Sequence, residues 1–532
     1  MLWSSGLIEN LCSNPRGILM TMKYVEQILR AQVYDVARET PLEPAPRLSL
    51  RLGNDVLLKR EDLQPVFSFK LRGAYNKISS LTAKERKRGV IGASAGNHAQ
   101  GIALSARKLG IRALIVMPTT TPPIKVEAVK SHGAKAVLFG DSYDEAYIHA
   151  QRLAGEKDMV FIHPFDDPLV IAGQGTIGME ILRQHPGPPR AIFVPVGGGG
   201  LIAGIGAYVK HLFPDVKIIG VEPEDAPTLY RALKAGRRVV LNQVGIFADG
   251  VAVKQIGKET FRIARKVVDE VILVSTDEIC AAIKDVFDDT RTVAEPAGAL
   301  SVAGLKKYVE REGISGQSLV AIESGANINF DRLRHVAERA EIGEYREALL
   351  AVEIEERPGS FLRFCKALSN RSVTEFNYRY ADARRAHVFA GVELNGGESE
   401  RIDLVRQLQK KGYPVVDMTE NETAKLNIRY MVGGHAPGVE NECLFRLQFP
   451  ERPGALLSFL SQLGKSWNIS LFHYRNHGAA YGRVLMGVQL ASRDRKAFRR
   501  FLRDFDYPWI EETDNLAYRL FACGGSCPEL PL

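Results

Sequence analysis

From about residue 50 to residue 325, short apolar runs rich in β-branched residues alternate with longer amphipathic ones. This rhythm leaves the chain few folds to adopt. Val56-Leu57-Leu58, Gly89 to Gly92, Ala113 to Met117, Ala136 to Phe139, Ala191 to Val196, Val216 to Val221 and Leu319 to Ile322 read as strands. Helices are predicted from about Arg72, over His98 to Leu109, from about Ile124, from about Tyr143 and over Leu201 to Leu212. Apolar strands separated by helices argue for parallel sheets covered on both faces. The span is long enough for two such lobes. Open sheets of this kind take ligands beyond the carboxyl ends of their strands, so residues just past a strand carry the most interest.

After Asn329 the pattern changes. Asp331 to Leu349 is charged and reads as a helical connector, and an internal repeat follows. Arg357-Pro358-Gly359 returns as Arg452-Pro453-Gly454, 95 positions on, and Phe376-Asn377-Tyr378-Arg379 returns as Phe472-His473-Tyr474-Arg475, offset 96. Gly391-Val392-Glu393-Leu394 and Gly487-Val488-Gln489-Leu490 share that offset. Each copy reads as strand, Pro-Gly turn, helix, two strands and a helix, a βαββαβ unit. Neither copy offers a catalytic set, so regulation or assembly is expected of them. The expected boundaries are an N-terminal extension over 1–21, a catalytic domain over 22–330, a connector helix over 331–348 and modules over 349–425 and 441–525.

Four segments could bring chemistry to the strand ends. In the first, Lys70 stands between apolar neighbours, Phe67 and Phe69 among them. Desolvation lowers a lysine pKa, and a neutral lysine can hold an aldehyde as a Schiff base. The second is Ser94-Ala95-Gly96-Asn97, a small-residue turn between strand and helix, suited to a carboxylate. The third, Gly197-Gly198-Gly199-Gly200-Leu201, can seat a phosphate on backbone N–H groups. The fourth is Ser324, in Glu323-Ser324-Gly325-Ala326-Asn327. An aldehyde and a phosphate on one small molecule describe pyridoxal phosphate. A rival reading takes Gly198-x-Gly200-x-x-Ala203, with Glu222 as the ribose acid, for a dinucleotide site of an NAD-dependent oxidoreductase. That reading leaves Lys70 and the Ser94 turn without a task. In a third reading the repeats sense an amino acid and the front half is a relic, against which Lys70 and the complete glycine run both count.

Composition excludes other classes. Seventy basic residues against 62 acidic ones leave a net charge of only +8, interspersed along the chain. Lys84 to Arg88 and Arg493 to Arg503 read as solvated helix faces, not as a nucleic-acid footprint. No apolar run reaches the roughly 18–20 residues a membrane span needs. Six scattered cysteines give no disulfide framework, and Cys523 with Cys527 lacks a second ligand pair for zinc. Free thiols point to a reducing, cytoplasmic setting. The first residues fit no targeting signal, and Met20 or Met22 is expected to be the natural start.

With these segments in hand, the chain resembles the fold-type II pyridoxal-phosphate enzymes, and among them the biosynthetic threonine dehydratases (threonine deaminases). The resemblance rests on Ser68-Phe69-Lys70-Leu71-Arg72-Gly73-Ala74, Ser94 to His98, Gly197 to Leu201, Ser324 to Asn327 and the tandem repeat. It implies a two-lobed α/β catalytic domain of the tryptophan synthase β type, followed by two α+β, ferredoxin-like ACT domains. It implies that Lys70 forms the Schiff base, Phe69 lies against the cofactor ring, Asn97 bonds the ring oxygen and Ser324 meets the ring nitrogen. Gly197 to Leu201 would bind the phosphate, and Ser94, Ala95 and Gly96 the substrate carboxylate. L-threonine, and L-serine as a variant, would be the substrates, with isoleucine an inhibitor and valine an activator acting near Arg357-Pro358-Gly359 and Arg452-Pro453-Gly454. A homotetramer is implied too. Thr228 stands where metal-dependent relatives carry a second acid beside Glu222, so no metal is expected.

Overall fold

The computed structural model describes residues 15–518 except 246, 331, 370, 381–383, 427, 431–433, 435, 437, 451–454, 464–465, 476–480, 506–508 and 516–517. The chain divides into two compact units, Met1–Ala340 and Glu341–Leu532.

Two sheets build the first unit. In the larger, the order is Leu42–Pro44, Asp55–Arg60, Ser318–Glu323, Ala191–Pro195, Lys217–Pro223, Glu270–Val274, and only the short edge strand Leu42–Pro44 runs antiparallel. In the smaller, the order is Lys135–Leu138, Ala113–Met117, Val90–Ala93, Val160–Phe161, all parallel. The two parallel lobes expected from the alternation are therefore present. Val160–Phe161 escaped the sequence reading because two residues are too few to show a period. The first described helix spans Pro15–Leu29, across the boundary expected at residue 22.

A long helix absent from the sequence reading, Pro168–Gln184, holds this unit together. Its sequence carries Gly173, Gly175 and Gly178, each costing about 1 kcal/mol of helix propensity relative to alanine, and so it does not read as a helix. The fold uses two of these glycines for close approach. A Cβ on Gly173 would lie 2.7 Å from Gly73 Cα, and one on Gly204 would lie 2.7 Å from Gly175 N. Helices Lys70–Ser79 and Gly200–Leu212 thus both pack against Pro168–Gln184 backbone to backbone.

Buried ions reinforce the first of these contacts. Arg72 Nε and Nη2 donate to the two oxygens of Glu61 at 2.8 and 2.7 Å, and Arg72 Nη2 donates to Glu180 at 2.9 Å. Lys59 Nζ pairs with Glu180 at 2.7 Å. All four side chains are fully buried. Two cations against two anions make the cluster neutral, which low-dielectric burial demands. Burial works against the Glu61 charge, but Arg72 and Lys59 outweigh it and hold the carboxyl below its usual range.

The second unit contains the repeat. Strand Glu347–Glu355, helix Ser360–Ala367, strands Val373–Arg379 and Arg385–Glu393, helix Gly397–Lys410 and strand Val415–Asp417 form one module. Strand Glu442–Pro450, helix Ala455–Leu463, strands Asn468–Arg475 and Tyr481–Gln489, helix Arg495–Asp504 and strand Trp509–Glu511 form the other. The connector helix runs over Arg332–Gly343, and the first module's strand starts at Glu347, within the span expected to be connector. Both modules join one eight-stranded sheet through Val373–Arg379 paired antiparallel with Asn468–Arg475. Asn377 lies opposite His473. These are the residues that the 96-residue offset aligns, so a pseudo-two-fold axis relating the modules passes between them. One apolar core spans both copies, with Phe376 and Phe472 in edge-to-face contact at 5.6 Å.

Arg72→Met leaves Glu61 and Glu180 buried with too little positive charge. It is expected to lower unfolding stability by about 3–5 kcal/mol in chemical denaturation; a loss under about 1 kcal/mol would contradict the role given to this cluster.

Candidate active site

Three of the four expected segments follow the carboxyl ends of parallel strands. Ser94-Ala95-Gly96 follows Val90–Ala93, the glycine run follows Ala191–Pro195, and Ser324 follows Ser318–Glu323. Lys70 opens helix Lys70–Ser79, reached from strand Asp55–Arg60 through the short turn Glu61–Leu63. In the sheet, Ser318–Glu323 lies between Asp55–Arg60 and Ala191–Pro195, so Ser324 stands between the routes to Lys70 and to the glycines. Backbone bonds tie it to the lysine segment: Phe69 N–H donates to Ser324 O at 3.3 Å and Ala326 N–H to Phe67 O at 3.0 Å.

Lys70 Nζ donates to Gly250 O at 2.9 Å. The next residue, Val251, presses on the glycine run, where a Cβ on Gly197 would lie 2.9 Å from Val251 Cα. The amine and the glycines therefore meet the same short segment, Gly250-Val251. Lys70 keeps some accessible surface but is densely surrounded. Desolvation pulls its amine below the ordinary lysine range, against the opposing fields of Glu295 and Asp249. The two phenylalanines expected to desolvate it differ in burial. Phe67 is 56% exposed, on a backbone φ of +53°, and cannot shield the amine. Phe69 is partly buried against the apolar core of the large lobe. Helix Asn97–Lys108 closes in at Gly101, where a Cβ would lie 3.4 Å from the Lys70 carbonyl carbon.

The glycine run is tightly covered. A Cβ on Gly198 would fall 2.2 Å from the Phe165 ring, and Gly199 has φ +89°, a region side chains rarely adopt. The carbonyls are engaged elsewhere: Gly198 O accepts from Thr260 Oγ1 at 2.7 Å, and Gly197 O accepts from Thr228 Oγ1 at 3.2 Å. Helix Gly200–Leu212 begins here. Its first N–H groups have no intrahelical acceptor and sit at the positive end of the helix dipole, which suits a phosphate.

Asn97 is held from both ends of its amide. Its Nδ2 donates to Glu295 Oε1 at 2.6 Å, and its Oδ1 accepts from Asn327 Nδ2 at 2.6 Å. One N–H remains for a ligand. Glu295 is buried, and desolvation, with Asp249 adding, lifts its carboxyl above the usual range. The sequence reading missed Glu295 because an acid just before Pro296 reads as an ordinary helix start. It missed Gly250 because a backbone carbonyl leaves no mark in sequence. Ser324 is buried and its Oγ donates to Ala297 O at 3.2 Å, a bond a rotating hydroxyl can exchange. Gly96 N–H donates to Ser94 Oγ at 3.2 Å, closing the turn that precedes helix Asn97–Lys108. His98 lies buried with Nε2 3.1 Å from Ile162 O, and desolvation pushes its pKa down to about 3, so it stays neutral and structural.

Glu222, the acid on which the dinucleotide reading relied, faces inward. Its carboxylate accepts from Thr228 Oγ1, Leu229 N–H and Tyr230 N–H at 2.8–2.9 Å. It caps helix Thr228–Ala235 instead of waiting for a ribose. Among the described residues no group of three or more His, Cys, Asp or Glu could hold a metal ion, and no helix is long and apolar enough to cross a membrane.

Residues 33–325 match the family of pyridoxal-phosphate dependent enzymes, and residues 338–428 and 433–522 match the C-terminal regulatory domain of threonine dehydratase. The L-threonine dehydratase biosynthetic IlvA of Burkholderia multivorans is 58% identical over 94% of this chain and 99% of that protein. The chain belongs to the biosynthetic threonine dehydratase family. Its Escherichia coli relative, L-threonine dehydratase biosynthetic IlvA, is 52% identical over 94% of this chain and 97% of that protein. Among solved structures, the processed form of threonine deaminase isoform 2 from Solanum lycopersicum superposes with a TM-score of 0.59 at 51% identity, covering 60% of this chain and 93% of that one. Maize serine racemase does so at 0.56 and 31%, covering 59% and 96%. This family membership assigns pyridoxal phosphate to the catalytic region.

A shallow cleft lies in the regulatory unit. The turn Arg357-Pro358-Gly359 forms one wall with Phe361 and Leu362 of the helix that follows it, and residues of the other module, Leu460, Leu463, Trp467 and Asn468 among them, face it. Asn468 Nδ2 also donates across the module boundary to Glu356 Oε1 at 3.2 Å. The repeat's counterpart turn, Arg452-Pro453-Gly454, lies outside the described residues, as do Cys523 and Cys527. Cys280, Cys365 and Cys443 are free and buried.

Burial raises the Glu222 carboxyl from its ordinary 4.5 to about 7. The folded chain therefore holds more protons than the unfolded one between those values, and this group's contribution to stability falls as pH rises through that window. Across it, the unfolding free energy of wild type is expected to drop by about 3 kcal/mol relative to Glu222→Gln, measured by denaturation at pH 4.5 and 7. A difference independent of pH would contradict this.

Proposed function

We propose that this protein is a pyridoxal-phosphate-dependent L-threonine ammonia-lyase, releasing 2-oxobutanoate and ammonium as the first step of isoleucine biosynthesis. The observation that carries the reading is Lys70 Nζ on Gly250 O, with the glycine run against the adjoining Val251. The residues suit the group: a desolvated amine for its aldehyde, a glycine cradle no side chain could share for its phosphate, Ser324 for its ring nitrogen, Asn97 for its ring oxygen and Phe69 beside the ring. When bound, the cofactor supplies a sink for negative charge developing at the substrate Cα.

The chain's own residues do the rest. Ser94, Ala95 and Gly96, with the N-terminus of helix Asn97–Lys108, hold the substrate carboxylate. Glu295 and Asn327 fix the Asn97 amide, so its free N–H has one direction. Lys70, its pKa lowered, takes the proton from Cα as general base. Ser324 is a neutral partner, which keeps the charge sink shallow and favours elimination over transamination. L-serine enters the same site, because one methyl group changes discrimination by only about 1–3 kcal/mol.

In this reading the region up to residue 330 is catalytic, helix Arg332–Gly343 connects, and the modules whose first strands begin at Glu347 and Glu442 regulate. Isoleucine inhibits and valine opposes it, and the cleft beside Arg357-Pro358-Gly359 is the effector site, with Arg452-Pro453-Gly454 as its repeat counterpart. Support comes from the apolar side chains of Leu460, Leu463 and Trp467, which face the turn across the cleft and suit a branched aliphatic side chain. A cytoplasmic homotetramer is proposed on family likeness.

Lys70→Ala is expected to abolish 2-oxobutanoate release from threonine and the visible absorbance of the lysine-bound cofactor. Undiminished turnover would overturn the assignment. Wild-type turnover is expected to fall with isoleucine and recover with valine; insensitivity would overturn only the regulatory part.

A further inference from the structure

Lys125 stands over the turn assigned to the substrate carboxylate. Its Nζ lies 3.9 Å from the position of a Cβ on Gly96. It lies on helix Pro123–Ser131 of the small lobe, with a side chain only 14% exposed. Its partner is Asp249, whose Oδ2 accepts from Lys125 Nζ at 2.9 Å. Asp249 immediately precedes Gly250, the residue whose carbonyl holds Lys70. The pair therefore sits between the carboxylate turn and the reactive amine. Both of its charges act on Lys70 and on Glu295.

Asp249 has a second cation. Its Oδ1 lies 3.6 Å from Arg332 Nη1, and Arg332 also donates to Phe247 O at 2.9 Å. Arg332 begins helix Arg332–Gly343. If Lys125 left Asp249, that carboxylate would still have a guanidinium beside it. Asp249 is 37% exposed, and ion pairs open to water are weak, so another carboxylate can compete for Lys125.

We propose that Lys125 is a positioning residue for substrate, and that Asp249 is the resident anion it exchanges for the carboxylate of an incoming α-amino acid. In the free site Lys125 pairs with Asp249. On binding, the substrate carboxylate takes the Lys125 ammonium above Ser94 to Gly96, and Asp249 turns to Arg332. This rests on the lyase reading of the same site. It adds a charge-assisted contact that the turn alone does not supply and selects for ligands with a free carboxylate.

The exchange makes two variants move in opposite directions. The probe is L-2-aminobutyrate, which has the carboxylate and amine but no β-hydroxyl to eliminate, titrated into holoenzyme and followed by the visible absorbance of the bound cofactor. Lys125→Ala is expected to weaken its binding about ten-fold, and to raise the KM for threonine similarly with little change in kcat. Lys125→Arg is expected to restore most of the affinity. Asp249→Asn removes the competing anion and is expected to tighten binding. Equal affinity in wild type and Lys125→Ala overturns the proposal. So does weaker or unchanged binding in Asp249→Asn, since a mere structural brace fails when either partner is removed. Loss of the lyase reading itself would appear separately, as absence of 2-oxobutanoate release by wild type.

Discussion

The contact of Gly173 with Gly73, and of Gly175 with Gly204, sets the geometry on which the catalytic unit depends. Pyridoxal phosphate is small and stiff, so its aldehyde and phosphate need anchors at a fixed separation. In the proposed reading one anchor is Lys70, at the start of its helix, and the other is the glycine run at the start of helix Gly200–Leu212. Both helices pack on Pro168–Gln184, and at both crossings there is no room for a Cβ. Close packing transmits displacement with little give, so a methyl group at either crossing would move one anchor relative to the other. The buried Arg72, Glu61, Glu180 and Lys59 cluster adds direction to this contact. Such clusters contribute little net stability but penalise any arrangement that separates them.

The same economy appears around Asn97. An amide that merely lined the site could rotate. Glu295 at one end and Asn327 at the other leave it a single orientation. In the regulatory unit, two copies of one module share a sheet and a core, with Asn377 facing its own repeat counterpart His473. The proposed effector cleft takes a turn and helix from one module and a helix and strand from the other. Effector control requires only that a ligand bind one setting of the two modules better than another.

Much of this was legible in the sequence, for identifiable reasons. Parallel strands are buried on both faces and leave apolar runs, so both lobes could be read, and the repeat gave the βαββαβ order of both modules. The glycine run and the Ser94 turn could be picked out as candidates because each stands just past a strand, and Lys70 because it is a lysine between apolar neighbours. What stayed hidden has equally physical causes. Helix Pro168–Gln184 sacrifices helix propensity for contact at its glycines, so its local signal contradicts its structure. Gly250 acts through a carbonyl. Glu295, Lys125 and Asp249 have partners distant in sequence, and Phe67, on a left-handed backbone, is exposed where shielding was expected. Glu222 had the spacing of a ribose acid, and only its hydrogen bonds to Thr228, Leu229 and Tyr230 reveal a cap.

The most direct test of the central claim asks which lysine carries the cofactor. Borohydride reduction of the holoenzyme makes the lysine–cofactor link permanent, and proteolysis with mass spectrometry locates it. The expected result is a single modified peptide with the cofactor mass on Lys70. Modification at another lysine, Lys59 or Lys125 among them, with Lys70 unmodified, would contradict the assignment of the site.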